Sequence, residues 1–279
     1  MSGPMGVATA TGVADRFATV TLDELNARAS LQTRVDRKYV VPAAFVDDVL
    51  TGLRTQLGDD ARVLRIDGQD DFAYESVYFD TPALTSYLGA AHRRRRRFKV
   101  RTRSYLDSAA CFVEVKTRGP RGSTVKTRLP YDLDARDRLD RTALGFTGAT
   151  LDDAAVPAPD DPRFTPTLVS RYHRRTFLLA GPVPALDSRM TVDTDLTWTS
   201  TGAVAPVDGA LRLDGLAIVE TKTGSTPSAA DRLLWRHGHR PVRISKYGTG
   251  LAAIAPTLPS TPWRRVLDRH VTPALVPVG

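Results

Sequence analysis

Cysteine occurs once in this 279-residue chain, at Cys111. A disulfide framework and a metal site built from several thiolates are therefore excluded. Long apolar runs are also missing: no stretch approaches the ~20 consecutive residues that a membrane-spanning helix needs. No basic segment leads into an apolar core at the N-terminus, so a secretory signal is not expected and the expected setting is cytoplasmic. There is no Gly-x-x-x-x-Gly-Lys-Ser/Thr loop, which sets aside the P-loop enzymes, and no candidate serine–histidine–acid triad. His92, His173, His237, His239 and His270 show no metal-ligand spacing.

Two further scarcities are informative. Basic residues number 39 against 31 acidic ones, a net charge of +8 that suits polyanionic partners. Yet lysine appears only at Lys38, Lys99, Lys116, Lys126, Lys222 and Lys246, and glutamate only at Glu24, Glu75, Glu114 and Glu220. The chain writes its generic charge as arginine and aspartate. A lysine or glutamate therefore marks a place where that specific side chain is needed, since a compact ammonium and a planar guanidinium are not equivalent. Glu114 and Glu220 share the pattern Glu-x-Lys, and most of the lysines fall in strand-like segments.

Strands are predicted over 34–41, 61–67, 72–79, 97–105, 111–118, 123–131, 171–179, 189–198, 216–223 and 242–246, with a hairpin turn at 118–122. Pro42 and a 3.6-residue apolar stripe predict a helix over 42–57, and shorter helices are expected at 22–29, 83–91, 135–145 and 228–237. The stretch 152–166 reads as a loop and 248–255 as a small-residue segment. Strands and helices do not alternate regularly, so the class is α+β, built round a mainly antiparallel sheet or barrel.

Side chains alternate along a strand, and here the alternation separates charge from apolar bulk. Arg97, Lys99, Arg101 and Arg103 oppose Phe98 and Val100, and Glu114, Lys116 and Arg118 oppose Val113 and Val115. Lys126 and Arg128 oppose Val125 and Leu129; Arg189, Asp193 and Asp195 oppose Met190, Val192 and Leu196. Glu220 and Lys222 oppose Ala217 and Val219, while Arg34, Asp36 and Lys38 oppose Val35, Tyr39 and Val41. Two architectures satisfy this pattern. One is an ordinary half-solvated sheet with charge outside. The other is an inverted barrel, with charges lining a tunnel and helices packed on the valine faces. The arginine run 93–97 fits either a solvated helix end or a basic mouth that receives an acidic product. Cys111 lies on the apolar parity and reads as a core residue.

Seven pieces in order resemble a known family: Arg-x-Asp-Arg-Lys-Tyr (34–39), Glu-Ser-Val-Tyr-Phe-Asp-Thr (75–81), Lys-Val-Arg-x-Arg-x-Tyr (99–105), Phe-Val-Glu-Val-Lys (112–116), Val-Asp-Thr-Asp-Leu (192–196), Ile-Val-Glu-x-Lys (218–222) and Ser-Lys-Tyr (245–247). Together they resemble the VTC domain, the catalytic module of the vacuolar-transporter-chaperone polyphosphate polymerases, in the CYTH-like triphosphate tunnel metalloenzyme superfamily. The resemblance implies an antiparallel eight-stranded β-tunnel with helices packed outside. The resemblance spans 34–256, which sets a tunnel domain over 31–256; the small polar residues over 1–30 read as a flexible arm and the four prolines over 257–279 as a Pro-rich tail. The resemblance also implies an enzyme that uses Mn2+ or Mg2+ and ATP to extend inorganic polyphosphate, releasing ADP, with no specific nucleic acid partner.

Matched by position, the resemblance assigns phosphate contacts to Lys38, Arg101, Arg103, Lys116, Lys126, Arg174, Arg189, Lys222, Ser245 and Lys246, and the metal to Glu220. Lys99, Arg128 and Arg243 join the phosphate-binding set, and Glu114 is either a second metal carboxylate or a partner for neighbouring cations. Arg243 stands where a lysine is more usual in the family. The amino-terminal Glu-x-Glu-x-Lys of the hydrolytic branch is replaced by Arg34, Asp36 and Lys38, which favours a polymerase over a triphosphatase. A non-catalytic polyphosphate- or nucleotide-binding module is the third reading. No amino-terminal inositol-phosphate sensor is expected, and product export is left to a separate membrane protein partner.

Overall fold

The computed structural model describes residues 13–28, 35–119, 124–206 and 210–278. In chain order its main elements are β1 (Ala18–Val20), α1 (Leu22–Arg28), β2 (Val35–Pro42), α2 (Val46–Leu57), β3 (Ala61–Leu64), β4 (Asp71–Asp80), α3 (Thr85–Ala91), β5 (Phe98–Tyr105), β6 (Ala110–Arg118) and β7 (Thr124–Tyr131). They continue with α4 (Arg141–Asp153), β8 (Thr165–Leu179), β9 (Ser188–Ser200), β10 (Ala210–Leu213), β11 (Leu216–Thr223), α5 (Ala229–Arg236), α6 (Lys246–Ile254) and β12 (Leu275–Val278).

Eight strands pair in the order β2–β11–β9–β8–β4–β5–β6–β7, every neighbour antiparallel. This is the wall of an antiparallel tunnel with helices outside. The short strands extend its edges: β3 pairs with β8, β1 runs parallel to β3, β10 pairs with β9 and β12 with β10. Among the described residues, β2 pairs only with β11 and β7 only with β6.

The apolar faces decide which way the wall curls. Tyr39, Val41, Met190, Val192, Ala217 and Val219 form one buried cluster with Val49, Leu50 and Leu53 of α2 and Leu233 and Leu234 of α5. Val77, Phe79, Val100 and Val115 pack with Leu151 of α4. The valine faces therefore point outward under helices, and the charged faces point inward. Burying the apolar side chains on the outside is what permits a charged interior, since burial stabilises by roughly 25 cal/mol per Å² of apolar surface.

Several expectations shift. Asp140 caps α4, its carboxylate accepting from the Ala143 N–H at 2.8 Å, so the main helix runs over 141–153 rather than 135–145. Strand β8 begins at Thr165, inside the expected loop, and 242–246 is not a strand. A register shift opposite Arg171/His173 and a left-handed backbone at Asp195 (φ 53°) break the parity of β9. Asp193 stays inside, Asp195 is exposed, and Leu196 turns from the face of Met190 and Val192 to that of Trp198. Arg34 and turn residues 120–123 lie outside the described residues.

Within the expected arm, Phe17 and Leu25 are buried. Within the expected tail, Trp263, Val266 and Val271 belong to the core. His237 and His239 pack their rings on Phe45. Cys111 is buried beside the Ser104 hydroxyl. No helix among the described residues is long and apolar enough to cross a membrane.

Candidate functional site: a cation-lined lumen

Period-two alternation on β5, β6 and β7 carries Lys99, Arg101, Lys116 and Lys126 and one acid, Glu114, to the same place. Register pairs Lys99 with Lys116 and Lys116 with Lys126, and pairs Arg101 with Glu114 and Glu114 with Arg128. Glu114 is 1% exposed and compensates this wall. One of its oxygens accepts from Arg101 Nε at 2.9 Å and from Nη2 at 2.5 Å; the other accepts from Lys126 Nζ at 3.3 Å. Burial alone would push its carboxyl up, but Arg101, Arg103, Lys116 and Lys126 outweigh that and hold it far below the usual carboxylate range.

The opposing strands build a second cluster. Lys38 on β2 faces Glu220 on β11 in register, with Nζ 3.1 Å from Oε1, and Lys222 Nζ lies 3.5 Å from the same oxygen. Burial works to raise the Glu220 carboxyl, yet Lys38, Lys222, Arg174 and Lys246 hold it well below its ordinary value. Next to it Asp193 accepts a two-pronged pair from Arg174, at 2.6 and 2.8 Å, and an ion pair from Lys246. The backbone here is held from outside. The buried Asp231 of α5 accepts from the Tyr39 hydroxyl of β2 and the Thr221 hydroxyl of β11, each at 2.6 Å, and so locks the strands that present Lys38 and Glu220.

A floor of tyrosines lies between the clusters. Tyr74 and Tyr172 stack with ring centroids 5.3 Å apart, Arg174 lies over both, and Lys246 Nζ sits 4.3 Å from the Tyr172 centroid. Arg103 donates to the Tyr172 hydroxyl at 2.8 Å. Cations placed over ring faces gain roughly 0.5–2 kcal/mol each, which helps to hold like charges together. Burial favours the neutral Tyr78 hydroxyl, but Arg101, Lys99, Arg103 and Lys246 bring it down to about 8. Burial lowers the Lys99 ammonium to about 8, with repulsion from Arg101, Lys38 and Arg97 adding to it. Repulsion from Arg101 together with burial drives Lys116 well below its ordinary value.

Helix α6 closes the site. Ser245 is its N-cap, with Oγ accepting from the Gly248 N–H at 3.1 Å and from Lys99 Nζ at 2.9 Å. The preceding segment runs beside β2, where the Val242 N–H donates to the Lys38 carbonyl at 2.7 Å. Asp80, in the Phe-Asp-Thr piece, caps α3 through the Ser86 and Tyr87 N–H groups and accepts from the Tyr247 hydroxyl at 2.6 Å, which fixes α6. Gly250 is required for this approach: a Cβ there would lie 2.4 Å from Trp198 Nε1.

The structure thus brings together Lys38, Lys99, Arg101, Arg103, Lys116, Lys126, Arg174, Lys222, Ser245 and Lys246 with Glu114 and Glu220. Three expected members sit at the margins. Arg189 donates to the Leu25 carbonyl of α1 at 3.3 Å, Arg128 lies over the Phe112 ring at 4.8 Å, and Arg243 lines the mouth. The sequence reading missed Asp193 as an ion-pair hub and the tyrosine floor. Tyr74 and Tyr78 share one parity of β4, which was the available signal.

The described residues hold no cluster of three potential metal-ligating side chains. Glu114 is a poor metal ligand, because its oxygens are engaged by Arg101 and Lys126. Lys38 and Lys222 both meet Glu220 at Oε1, so as a single carboxylate it would hold a magnesium-like ion whose other ligands are phosphate and water oxygens.

No curated protein matches this sequence. Among solved structures, the Hippeastrum protein HpAC1, reported with a dominant triphosphatase activity, is 14% identical, with 78% of this chain and 94% of that chain covered and a TM-score of 0.41. The PH1012 protein of Pyrococcus horikoshii OT3 is 10% identical, with 74% and 88% covered and a TM-score of 0.36. A conserved hypothetical protein from Pyrococcus furiosus is 11% identical, with the same coverages and TM-score. The family model described as the VTC domain matches residues 33–255, from the start of β2 through α6. A match across every strand of the lumen wall makes this chain a member of the VTC domain family.

Proposed function

We propose that this chain is a polyphosphate polymerase, moving the γ-phosphate of ATP onto an inorganic polyphosphate chain and releasing ADP. The observation that carries the reading is the β2–β11 pair. Glu220 is met by two ammonium groups, Lys38 at 3.1 Å and Lys222 at 3.5 Å, and the two carboxylate positions of the hydrolytic Glu-x-Glu-x-Lys pattern are held on this strand path by Arg34 and Asp36, one of them a cation. Several carboxylates around a metal suit activation of water. A lumen lined by cations instead suits two phosphate chains brought end to end.

Phosphoryl transfer asks little covalent work of a protein; it asks for in-line positioning and charge compensation. In this reading Lys38, Lys222, Arg174 and Lys246 hold one polyphosphate segment, and Lys99, Arg101, Arg103, Lys116 and Lys126 hold the other. At an effective dielectric near 20, each close pair is worth roughly 4 kcal/mol before desolvation. Several such pairs offset the repulsion between two polyanions. Glu220 would hold Mn2+ or Mg2+, which when bound withdraws charge from phosphate oxygens. No side chain is needed as a strong base, because the attacking phosphate oxygen is already ionised.

Incubation with ATP and Mn2+ tests the reading. ADP and acid-insoluble polymer are expected. Free phosphate without polymer at any primer concentration points to a triphosphatase using the same lumen, and no turnover points to a binding module. Carrying the product across a membrane would fall to a separate membrane protein.

A further inference from the structure

The arginine run that follows α3 folds over one end of the lumen. Arg93 takes a left-handed backbone (φ 55°) and the Arg94 N–H donates to the Gly89 carbonyl at 2.8 Å, turning the chain back before β5. The result is a pocket of about 280 Å³ lined, among the described residues, by Arg93, Arg95, Arg97, Arg118 and Arg243, with no acid among them. Two of these continue the lumen ladders by one period-two step: Arg97 precedes Lys99 on its strand path and Arg118 follows Lys116, while Arg243 lies two residues before Ser245, the N-cap of α6. The Arg118 N–H still donates to the Arg97 carbonyl at 3.3 Å, so the β5–β6 register extends to the mouth. Arg94 and Arg96, in the same run, do not line the pocket.

Like charges gathered round one cavity repel one another, and with no carboxylate among the described lining residues their compensation comes from anions of the solution, which a polyanion supplies best. Guanidinium forks suit phosphate oxygens because they donate two parallel hydrogen bonds. Among the described residues no aromatic side chain lines the pocket, so they offer none of the stacking that single-stranded nucleic acid uses. The pocket's Arg97 also lies close enough to Lys99 of the lumen for the two charges to repel.

We infer that the mouth is a separate docking subsite for an inorganic phosphate chain, gripping the part of a long chain that extends beyond the lumen. The inference rests on the reading of the lumen as a polyphosphate site, and it adds a length dependence. A chain of three phosphates fits inside the lumen and ignores the mouth, whereas one of many tens of phosphates engages both.

The test compares binding of tripolyphosphate and long-chain polyphosphate by calorimetry, with full-length wild type, an Arg93→Gln/Arg95→Gln variant and an Arg94→Gln/Arg96→Gln variant. These four arginines are exposed loop residues, and melting curves check that each variant folds; Arg95→Gln alone serves as the milder version. The first double variant is expected to bind the long chain at least about tenfold more weakly, ~1.4 kcal/mol, with tripolyphosphate affinity unchanged within twofold. Its long-chain affinity should also fall less steeply with added salt. The Arg94/Arg96 variant, equal in charge, should stay near wild type. Equal losses for the two double variants, or equal losses for short and long chains, overturn the subsite. A matched oligothymidylate that binds as tightly and loses as much overturns it in favour of nucleic acid. A wild type that makes no polymer from ATP yet shows the length-dependent loss retains the subsite and removes only the polymerase reading.

Discussion

Replacing Glu114 by glutamine should destabilise the free protein strongly and leave its metal requirement untouched. The substitution keeps the shape of a side chain that is 1% exposed, but removes the charge facing Arg101, Lys126, Arg103 and Lys116. Deleting one partner of a buried ion pair typically costs ~3–5 kcal/mol. The Lys126 half is partly exposed and contributes at most ~1 kcal/mol, so the Arg101 pair dominates and ~3 kcal/mol is a fair expectation. For a domain of this size that is a fall in Tm of roughly 6–12 °C.

A polyanion should restore much of the loss, since it supplies the missing negative charge to the same cations. At a hundred times its Kd, tripolyphosphate stabilises by ~2.7 kcal/mol. Thermal melts with and without tripolyphosphate, and with and without Mn2+, provide the assay. The pH dependence has a definite sign. The folded-state carboxyl is depressed, so its stabilising contribution is present above the unfolded pKa near ~4.3 and disappears as pH falls towards the folded value. The gap between wild type and variant should therefore narrow in acid. A Tm within experimental error of wild type, or a deficit that polyanion does not reduce, would refute the account of Glu114 as charge compensator. A raised Mn2+ requirement at unchanged stability would make it a metal ligand instead.

Glu220→Ala should lower turnover by well over tenfold, ~1.4 kcal/mol of barrier, while polyphosphate binding stays as tight or tighter because Lys38 and Lys222 remain; turnover within tenfold of wild type removes Glu220 as the metal ligand. Lys99 sits near pKa 8 when the lumen is empty, and a bound phosphate chain raises it, so binding at pH 8 should take up protons and weaken as pH rises further; calorimetry in buffers of different ionisation enthalpy should show the uptake in wild type and a smaller one in Lys99→Ala. In the free protein the unfolded Lys99 binds more protons than the folded one between pH 8 and ~10.4, so this group makes stability rise with pH across that window. Gly250→Ala forces a Cβ to 2.4 Å from Trp198 Nε1 and should cost roughly 1–3 kcal/mol by overpacking, read as a lower urea midpoint; unchanged stability would mean that α6 is free to shift.

Much of the molecule was legible before folding because two codes run along it together. Alternation put Val100, Val115 and Val219 on one face and Arg101, Lys116 and Glu220 on the other, and the scarcity of lysine and glutamate marked which charges were chosen. Local chemistry could not say which face was inside. That choice needed the whole set of helices: once α2, α5 and α4 cover the valines, the charges have only the lumen to occupy. Alternation also cannot count across a bulge, so Asp195 and Leu196 changed sides where the β8–β9 register slips. Strands β10 and β12 are four residues each and pair over a long sequence separation, and so lacked a periodic signal. The partners within the site were decided only by tertiary structure. Whether Glu114 meets a metal or Arg101, whether Asp193 is a hub, and which arginines of the run face the mouth depend on register between distant strands. A carboxylate's role is set by the charges that surround it in space, and its neighbours in the chain do not specify them.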